Sequence, residues 1–312
     1  MRKDACAQPL FVECVKAQQQ IANGAGILRD RRADIAFELD NYYPVCSCRI
    51  QALFFNLRNL VREIAVKFFV QRFANNQDMC GRFEQSETPG YYARALGADT
   101  HGLEWQGGDN IPKYNVSPGS SPLMLHRLQG TLHSDYVTWG YRTPKEAEEK
   151  KRPWINARVE KALTGRYFRH MFQEGRVIIP GGGWFEWTLE QGRKQPWYIT
   201  RKDRAPIFMA GITNFRPGIQ QVVEVGFVIV TEDSGGGMVD IHDRRPVVLN
   251  PEDAWRWMDP ETPVEEAAHI AQSRSLPSEE FTWWRVSREV NRADPNNNRK
   301  ELLEPISKPE ST

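Results

Sequence analysis

Apolar residues early in the chain recur at helical spacing. Between residues 49 and 73, Ile50, Leu53, Phe54, Leu57, Leu60, Val61, Ile64, Phe68 and Phe69 fall mostly three or four positions apart, with Arg58, Arg62, Lys67 and Arg72 interspersed. The pattern predicts a basic amphipathic helix, of the kind that lies on a membrane surface or against a partner. Asn75-Asn76-Gln77-Asp78 is polar and reads as a linker. From Met79 the texture becomes β-rich. Strands are predicted at 136–139, 176–179, 197–200, 207–210, at the continuous apolar run 226–231, and at 281–286, where apolar and polar residues alternate. Helices are predicted at 90–96 and 161–172, at 252–258 after Pro251, and at 264–272 after Pro263. Proline suits a first helical turn because the amide it lacks would be unpaired there anyway. These elements do not alternate strand and helix. The expected class is therefore α+β: one domain on antiparallel sheets with a barrel-like core and peripheral helices. Residues 141–153 read as a charged loop, and the polar chain past Asn296 reads as loose.

Composition narrows the function classes. The 312 residues are 40% hydrophobic and 26% charged, ordinary values for a globular protein able to bury a core. No apolar run approaches the ~18 residues that cross a bilayer, and Met1-Arg2-Lys3-Asp4 leads into no signal-like stretch, so the cytoplasm is the expected compartment. Residues 79–312 carry 30 basic and 32 acidic side chains. Any binding to nucleic acid must come from a local cluster of arginines. Cys6, Cys14, Cys46 and Cys48 lack the spacing of a zinc site or a disulfide framework, so neither a metal nor an organic cofactor is expected.

The remaining cysteine, Cys80, follows Met79 directly. If translation starts at Met79, removal of that methionine leaves an amine and a thiol on one residue, a pair suited to trapping aldehydes. An α-amine titrates near ~7.7–8.0, so part of it is neutral at physiological pH, and the ionised thiol is a strong nucleophile. The competing reading is a small buried hydrophobe. Three other motifs offer partners. Asn156-Ala157-Arg158-Val159-Glu160 precedes a helix, and Gly181-Gly182-Gly183-Trp184-Phe185-Glu186-Trp187 sets a carboxylate between aromatic rings. Asp240-Ile241-His242-Asp243-Arg244-Arg245-Pro246 places a histidine before two arginines. Singly, each has a structural explanation: a turn, a core rim, a salt-linked corner.

Taken in order, these motifs resemble the SOS-response-associated peptidase (SRAP) family, the abasic-site processing proteins. The resemblance covers about residues 79–306. It rests on Met79–Phe83, Tyr114–Gly119, Trp139-Gly140, Asn156–Glu160, Trp184–Trp187, Val230-Thr231 and Ile241–Pro246. It implies a DNA-repair enzyme that cross-links covalently to abasic sites in single-stranded DNA, with lyase and self-cleaving peptidase activities. Its active-site residues would be Cys80 as nucleophile with Asn156, Glu186 and His242. Arg82, Arg158, Arg244 and Thr231 would lie along the DNA, and Trp184 and the Pro118 turn would stack against or wedge apart flanking bases. The partner would be abasic single-stranded DNA, met by a monomer that acts at the nucleoid.

Two departures from the family pattern stand out. Residues 1–78 precede Met79 and would block the Cys80 amine, so they are expected to be a mis-assigned start, a propeptide or an accessory helix. The loop after Tyr141 also lacks the tryptophan that relatives often carry there, having Thr143-Pro144-Lys145 instead, which leaves Trp154 as the substitute. Two other function classes stay open. One is a cysteine peptidase using Cys80, His242 and Asn156 or Glu186; the other is a non-catalytic single-strand binding module.

Overall fold

The structure is a computed structural model that describes residues 81–99, 112–219 and 224–306, all within one unit, Arg72–Thr312. The helix predicted at 49–73, Cys80, and the tail 307–312 lie outside the described residues. Thirteen strands form two sheets among those residues. The first runs β13 (Phe281–Arg285), β8 (Arg193–Arg201), β7 (Gly183–Glu190), β1 (Arg82–Gln85), β2 (Lys113–Val116), every neighbour antiparallel. The second runs β11 (Arg244–Pro246), β10 (Phe227–Asp233), β9 (Ile207–Thr213), β6 (Arg176–Gly181), β3 (Leu123–His126), β4 (His133–Tyr136), also antiparallel. To these, β12 (Val248–Leu249) adds by pairing with β9, and β5 (Asn156–Arg158) lies parallel to β10. Among the described residues six α-helices accompany the sheets: α1 (Pro89–Ala95), α2 (Pro144–Glu148), α3 (Val159–Thr164), α4 (Arg169–Glu174), α5 (Pro251–Met258) and α6 (Val264–Ser273). The α+β class is thus observed.

The larger sheet is buried on both faces, which is why β6, β9 and β10 are continuous apolar runs. Alternate residues of a strand serve opposite faces. Ile178, Phe208, Ala210, Val228 and Val230 pack with Phe172, Trp257 and Ile270 from the helices. Val177, Ile179, Met209, Phe227 and Ile229 pack instead with Phe83, Trp184, Ile199 and Phe281 of the five-stranded sheet. Trp139 bolts this shared core: its ring lies 5.1 Å from Phe83 and stacks on Phe227, while Nε1 donates to the Ile155 carbonyl at 2.9 Å. The far face of the five-stranded sheet carries Phe185 and Tyr198, covered by Val286, Val290 and Leu302.

Several expectations are corrected. The strand placed at 136–139 ends at Tyr136, and Trp139 keeps only a bridge to Phe227. The helix placed at 161–172 is two helices, because Gly165 turns extended after its amide closes α3 on the Lys161 carbonyl at 2.9 Å. The charged loop contains α2, started by a capping box in which Thr143 and Glu146 satisfy each other's free amides. The chain past Asn296 is docked rather than loose as far as Ile306: Leu302 is buried, and the Ile306 amide donates to Arg285 at 2.9 Å.

Candidate functional site

The glycine run Gly181-Gly182-Gly183 answers to steric demand. A side chain at Gly182 would put its Cβ 1.9 Å from Glu84 Oε2, and one at Gly183 would sit 2.7 Å from the Tyr198 ring. The run therefore lets β1 and β8 close on β7 around a buried carboxylate. Ser86 N donates to Glu84 at 2.7 Å and the Tyr198 hydroxyl at 3.3 Å. Burial pushes the Glu84 carboxyl above its usual range despite these bonds.

Past the glycines, Glu186 shares the Trp184 face of β7, so it points toward the gap between the sheets, 1% exposed. Across that gap, β5 pairs with β10 so that Asn156 lies beside Ile229 and Arg158 beside Thr231. Ile229 belongs to the shared core, which puts Asn156, Arg158 and Thr231 on the inter-sheet face as well. Asn156 and Thr231 are buried; Arg158 is exposed at the residue before α3.

His242 arrives by a different route. The 3-10 turn Gly236–Asp240 seats Met238 in the shared core, and the His242 amide then donates to the Met238 carbonyl at 3.2 Å. The buried ring has Nδ1 3.0 Å from the Arg244 amide, which donates to it when the ring proton is on Nε2, and 3.2 Å from the Arg244 carbonyl, which accepts from it when the proton is on Nδ1. A protonated ring instead has Asp243 at 3.2 Å to receive the Nδ1 proton. Arg244 is itself buried and committed: it pairs with Asp233, reaches Glu160 at 3.5 Å, and donates to the Thr231 carbonyl at 2.7 Å.

The structure thus brings Asn156, Glu186, Arg158 and Thr231 onto two facing surfaces, with His242 and Arg244 at the β10–β11 end. It does not bring Arg82 there. Arg82 falls on the Phe185 side of its sheet, 9% exposed, where Nη1 donates to Val290 O at 2.7 Å and to Asn115 Oδ1 at 2.8 Å. Trp184 is corrected as a base-stacking residue: it is fully buried, edge-on to Phe281 at 5.3 Å, and offers no face to a ligand. Pro118 is exposed in a turn closed by Ser120 N on Ser117 O at 3.2 Å, with Gly119 at φ +84° as a type II turn requires. Trp154 is 53% exposed yet held: its backbone bridges Tyr141, its ring meets Tyr167 edge-on at 6.2 Å, and its indole donates to Glu146. Burial alone would raise the Glu146 carboxyl, but donors from Tyr167, Thr143 and Trp154 bring it below the usual range.

Sequence reasoning missed Asn115, although it lies inside the Tyr114–Gly119 motif. It also missed Glu84 and Asp233, whose only signal is acidity near a motif arginine, and gave no role to Glu160, which lies inside the Asn156–Glu160 motif. Among the described residues no group of three or more His, Cys, Asp or Glu side chains could hold a metal, and no helix is long and apolar enough to cross a membrane. Two buried groups that exchange protons, a carboxylate and an imidazole, together with a buried amide, suit acid–base chemistry on a small polar centre.

Comparison with known proteins gives concordant results. The family model described as SOS response associated peptidase (SRAP) matches residues 79–293. The chain is 44% identical over 230 residues to the abasic site processing protein YedK of Escherichia coli (strain K12), covering 73% of this chain and 100% of that protein. It is 29% identical over 246 residues to the abasic site processing protein HMCES of Pongo abelii, covering 65% of this chain and 68% of that one. Among solved structures, a phage-related protein of Bordetella bronchiseptica superposes with a TM-score of 0.57 at 37% identity, covering 67% of this chain and 95% of that chain.

Proposed function

This chain belongs to the SOS response associated peptidase (SRAP) family, and from that premise we propose that it processes abasic sites in DNA by cross-linking to them through Cys80. The observation that carries the reading is the family match itself, which opens at Met79-Cys80 and takes in Asn156, Glu186 and His242, all three buried.

The chemistry balances without an oxidant or cofactor. The abasic deoxyribose opens to an aldehyde. The Cys80 α-amine adds to that carbon and water leaves, giving a Schiff base. The thiolate then adds to the imine carbon while the nitrogen takes a proton, closing a five-membered thiazolidine. Glu186 would pass protons during ring opening and during reversal of the cross-link. His242 would supply a ring proton to the sugar oxygen or the imine, and Asn156 would orient the amine through its amide. While the adduct is still an imine, removal of the adjacent C2′ proton would expel the 3′ phosphate, the associated lyase reaction.

The DNA would be single-stranded. Arg158, exposed beside Asn156, is the side chain best placed to hold a phosphate, while buried Arg244 would act through His242 and Thr231. The exposed surfaces of Pro118 and Trp154 would meet flanking bases. The cross-link requires a free Cys80 amine, from initiation at Met79 or from self-cleavage ahead of Cys80.

The test is the intact mass of the protein expressed from its own upstream region, before and after mixing with an abasic single-stranded oligonucleotide. The expected result is a chain starting at Cys80 that gains the oligonucleotide mass less one water, with Cys80→Ala gaining nothing. A full-length chain that gains nothing, or an adduct that survives Cys80→Ala, would overturn the proposal.

A further inference from the structure

We infer that Asp233, helped by Glu160, lowers the affinity of this face for intact DNA by cancelling the charge of Arg244, so that retention on a strand depends on the lesion rather than on the backbone. The inference rests on the DNA-processing reading above and gives a role to two carboxylates that the reading leaves idle.

The residues concerned are locked together by strand register. Thr231 of β10 lies beside Arg158 of β5 on one side and beside Pro246 of β11 on the other. Asp233, two residues on and therefore on the same face, lies beside Arg244. The buried Arg244 guanidinium donates from Nη2 to the Thr231 carbonyl at 2.7 Å and from Nη1 to Asp233. Glu160, two residues after the exposed Arg158, comes within 3.5 Å of Nη2. Both carboxylates stand in solvent: the Asp233 side chain is 83% exposed and that of Glu160 55%. Asp243, also exposed, lies 3.2 Å from His242 Nδ1 and adds a third. Two arginines thus share this face with three carboxylates.

Burial of a guanidinium does not by itself call for exposed acids. Arg176 is equally buried and is bonded to the carbonyls of Phe172, Gln173, Trp257, Asp259 and Thr262. Arg244 is instead countered from the solvent side, beside the arginine best placed to meet a phosphate. Affinity for an undamaged strand comes mainly from cations facing phosphates, and exposed carboxylates next to those cations oppose it. A like charge set against the unwanted partner is a means of specificity. An abasic strand offsets the repulsion by its covalent bond to the protein, and an intact strand has nothing to offset it with.

The experiment compares Asp233→Asn and Glu160→Gln with the unsubstituted protein and with Glu266→Gln. The last removes the same charge from an exposed carboxylate paired to Arg256, between α5 and α6. Each protein is titrated with an intact single-stranded oligonucleotide by fluorescence anisotropy over a range of salt, and its thermal unfolding is recorded. Asparagine keeps an oxygen for Arg244 Nη1, so the variant is expected to fold. Asp233→Asn should bind about three- to ten-fold more tightly at low salt, as removal of one repelling charge near a phosphate implies. Its plot of log affinity against log salt should steepen by about 0.7, the value of one further phosphate contact on a single strand. Glu160→Gln, acting at longer range, should gain less in the same direction, and Glu266→Gln should change by less than about two-fold because salt screens a distant charge. Excess intact strand should also compete with abasic oligonucleotide for adduct formation at a correspondingly lower concentration in Asp233→Asn. Unchanged or weaker binding in Asp233→Asn, or a gain no larger than that of Glu266→Gln, would overturn the inference. So would a lowered unfolding temperature without tighter binding, which would make Asp233 only a structural partner of Arg244. If the unsubstituted protein forms no adduct while Asp233→Asn still gains affinity, the cross-linking reading fails and this inference stands.

Discussion

The two sheets reach the same gap by opposite means. The eight-stranded sheet is held by apolar burial on both faces: β6, β9 and β10 each give one row of side chains to the helices and one to the shared core. The five-stranded sheet buries only its inner face in that core. Its outer face is closed by a small apolar cluster and a polar lattice of Arg82, Asn115, Asn291, Asn297 and Asn298. Apolar burial is strong but non-directional, whereas hydrogen bonds contribute little net stability each and fix geometry. The larger sheet is therefore held by packing on both faces, and the outer face of the smaller one by directional bonds that fix its register.

Three substitutions probe this division. The largest loss is expected from Trp257→Ala behind the eight-stranded sheet, where the indole packs on Phe172 at 5.4 Å and donates to Val177 O at 2.9 Å. Denaturant unfolding should show a loss of about 3–5 kcal/mol; a loss under about 1 kcal/mol would mean that apolar packing is not what holds that sheet. Gly182→Ala should cost roughly 1–3 kcal/mol, as overpacking does, because the new methyl meets the Glu84 carboxylate. Wild-type stability there would show that β1 and β7 slide apart freely.

The smallest effect concerns pH. The folded Glu84 carboxyl titrates above the unfolded one, so the folded state binds this proton more tightly. Its contribution is present below the usual carboxylate value and is lost as pH rises from there through the raised folded value. Unfolding free energies measured across that window should fall with pH more steeply in the unsubstituted protein than in Glu84→Gln. Parallel curves would show that Glu84 is not the titrating group.

Legibility in the sequence followed the same division. The apolar cores of β6, β8, β9, β10 and β13 were visible because hydrophobic runs and alternation report burial directly. Strand β1 was not, because Glu84 and Gln85 are polar and yet buried. Gln85 is satisfied by the Leu123 and Pro180 carbonyls at 3.0 and 2.8 Å, partners that no local pattern announces. The same holds for the tail, which looked loose because asparagines bond to backbone as readily as to water. The motif residues Asn156, Glu186 and His242 were recognisable in order. That Arg82 faces away from them depends on β1 pairing with β7, a long-range register invisible to the sequence.

The contact between Arg82 and Val290 spans 208 positions of the chain. A ribosome delivers those positions in order, at roughly 5–20 residues per second. Both sheets up to β12 are therefore synthesised before the segment that closes the outer face of the five-stranded sheet. A nascent or prematurely terminated chain ending short of residue 290 would leave Phe185 and Tyr198 without the cover of Val290 and Leu302, and the Arg82 guanidinium without its Val290 acceptor, so this face of the sheet is completed by the last part of the message to be read.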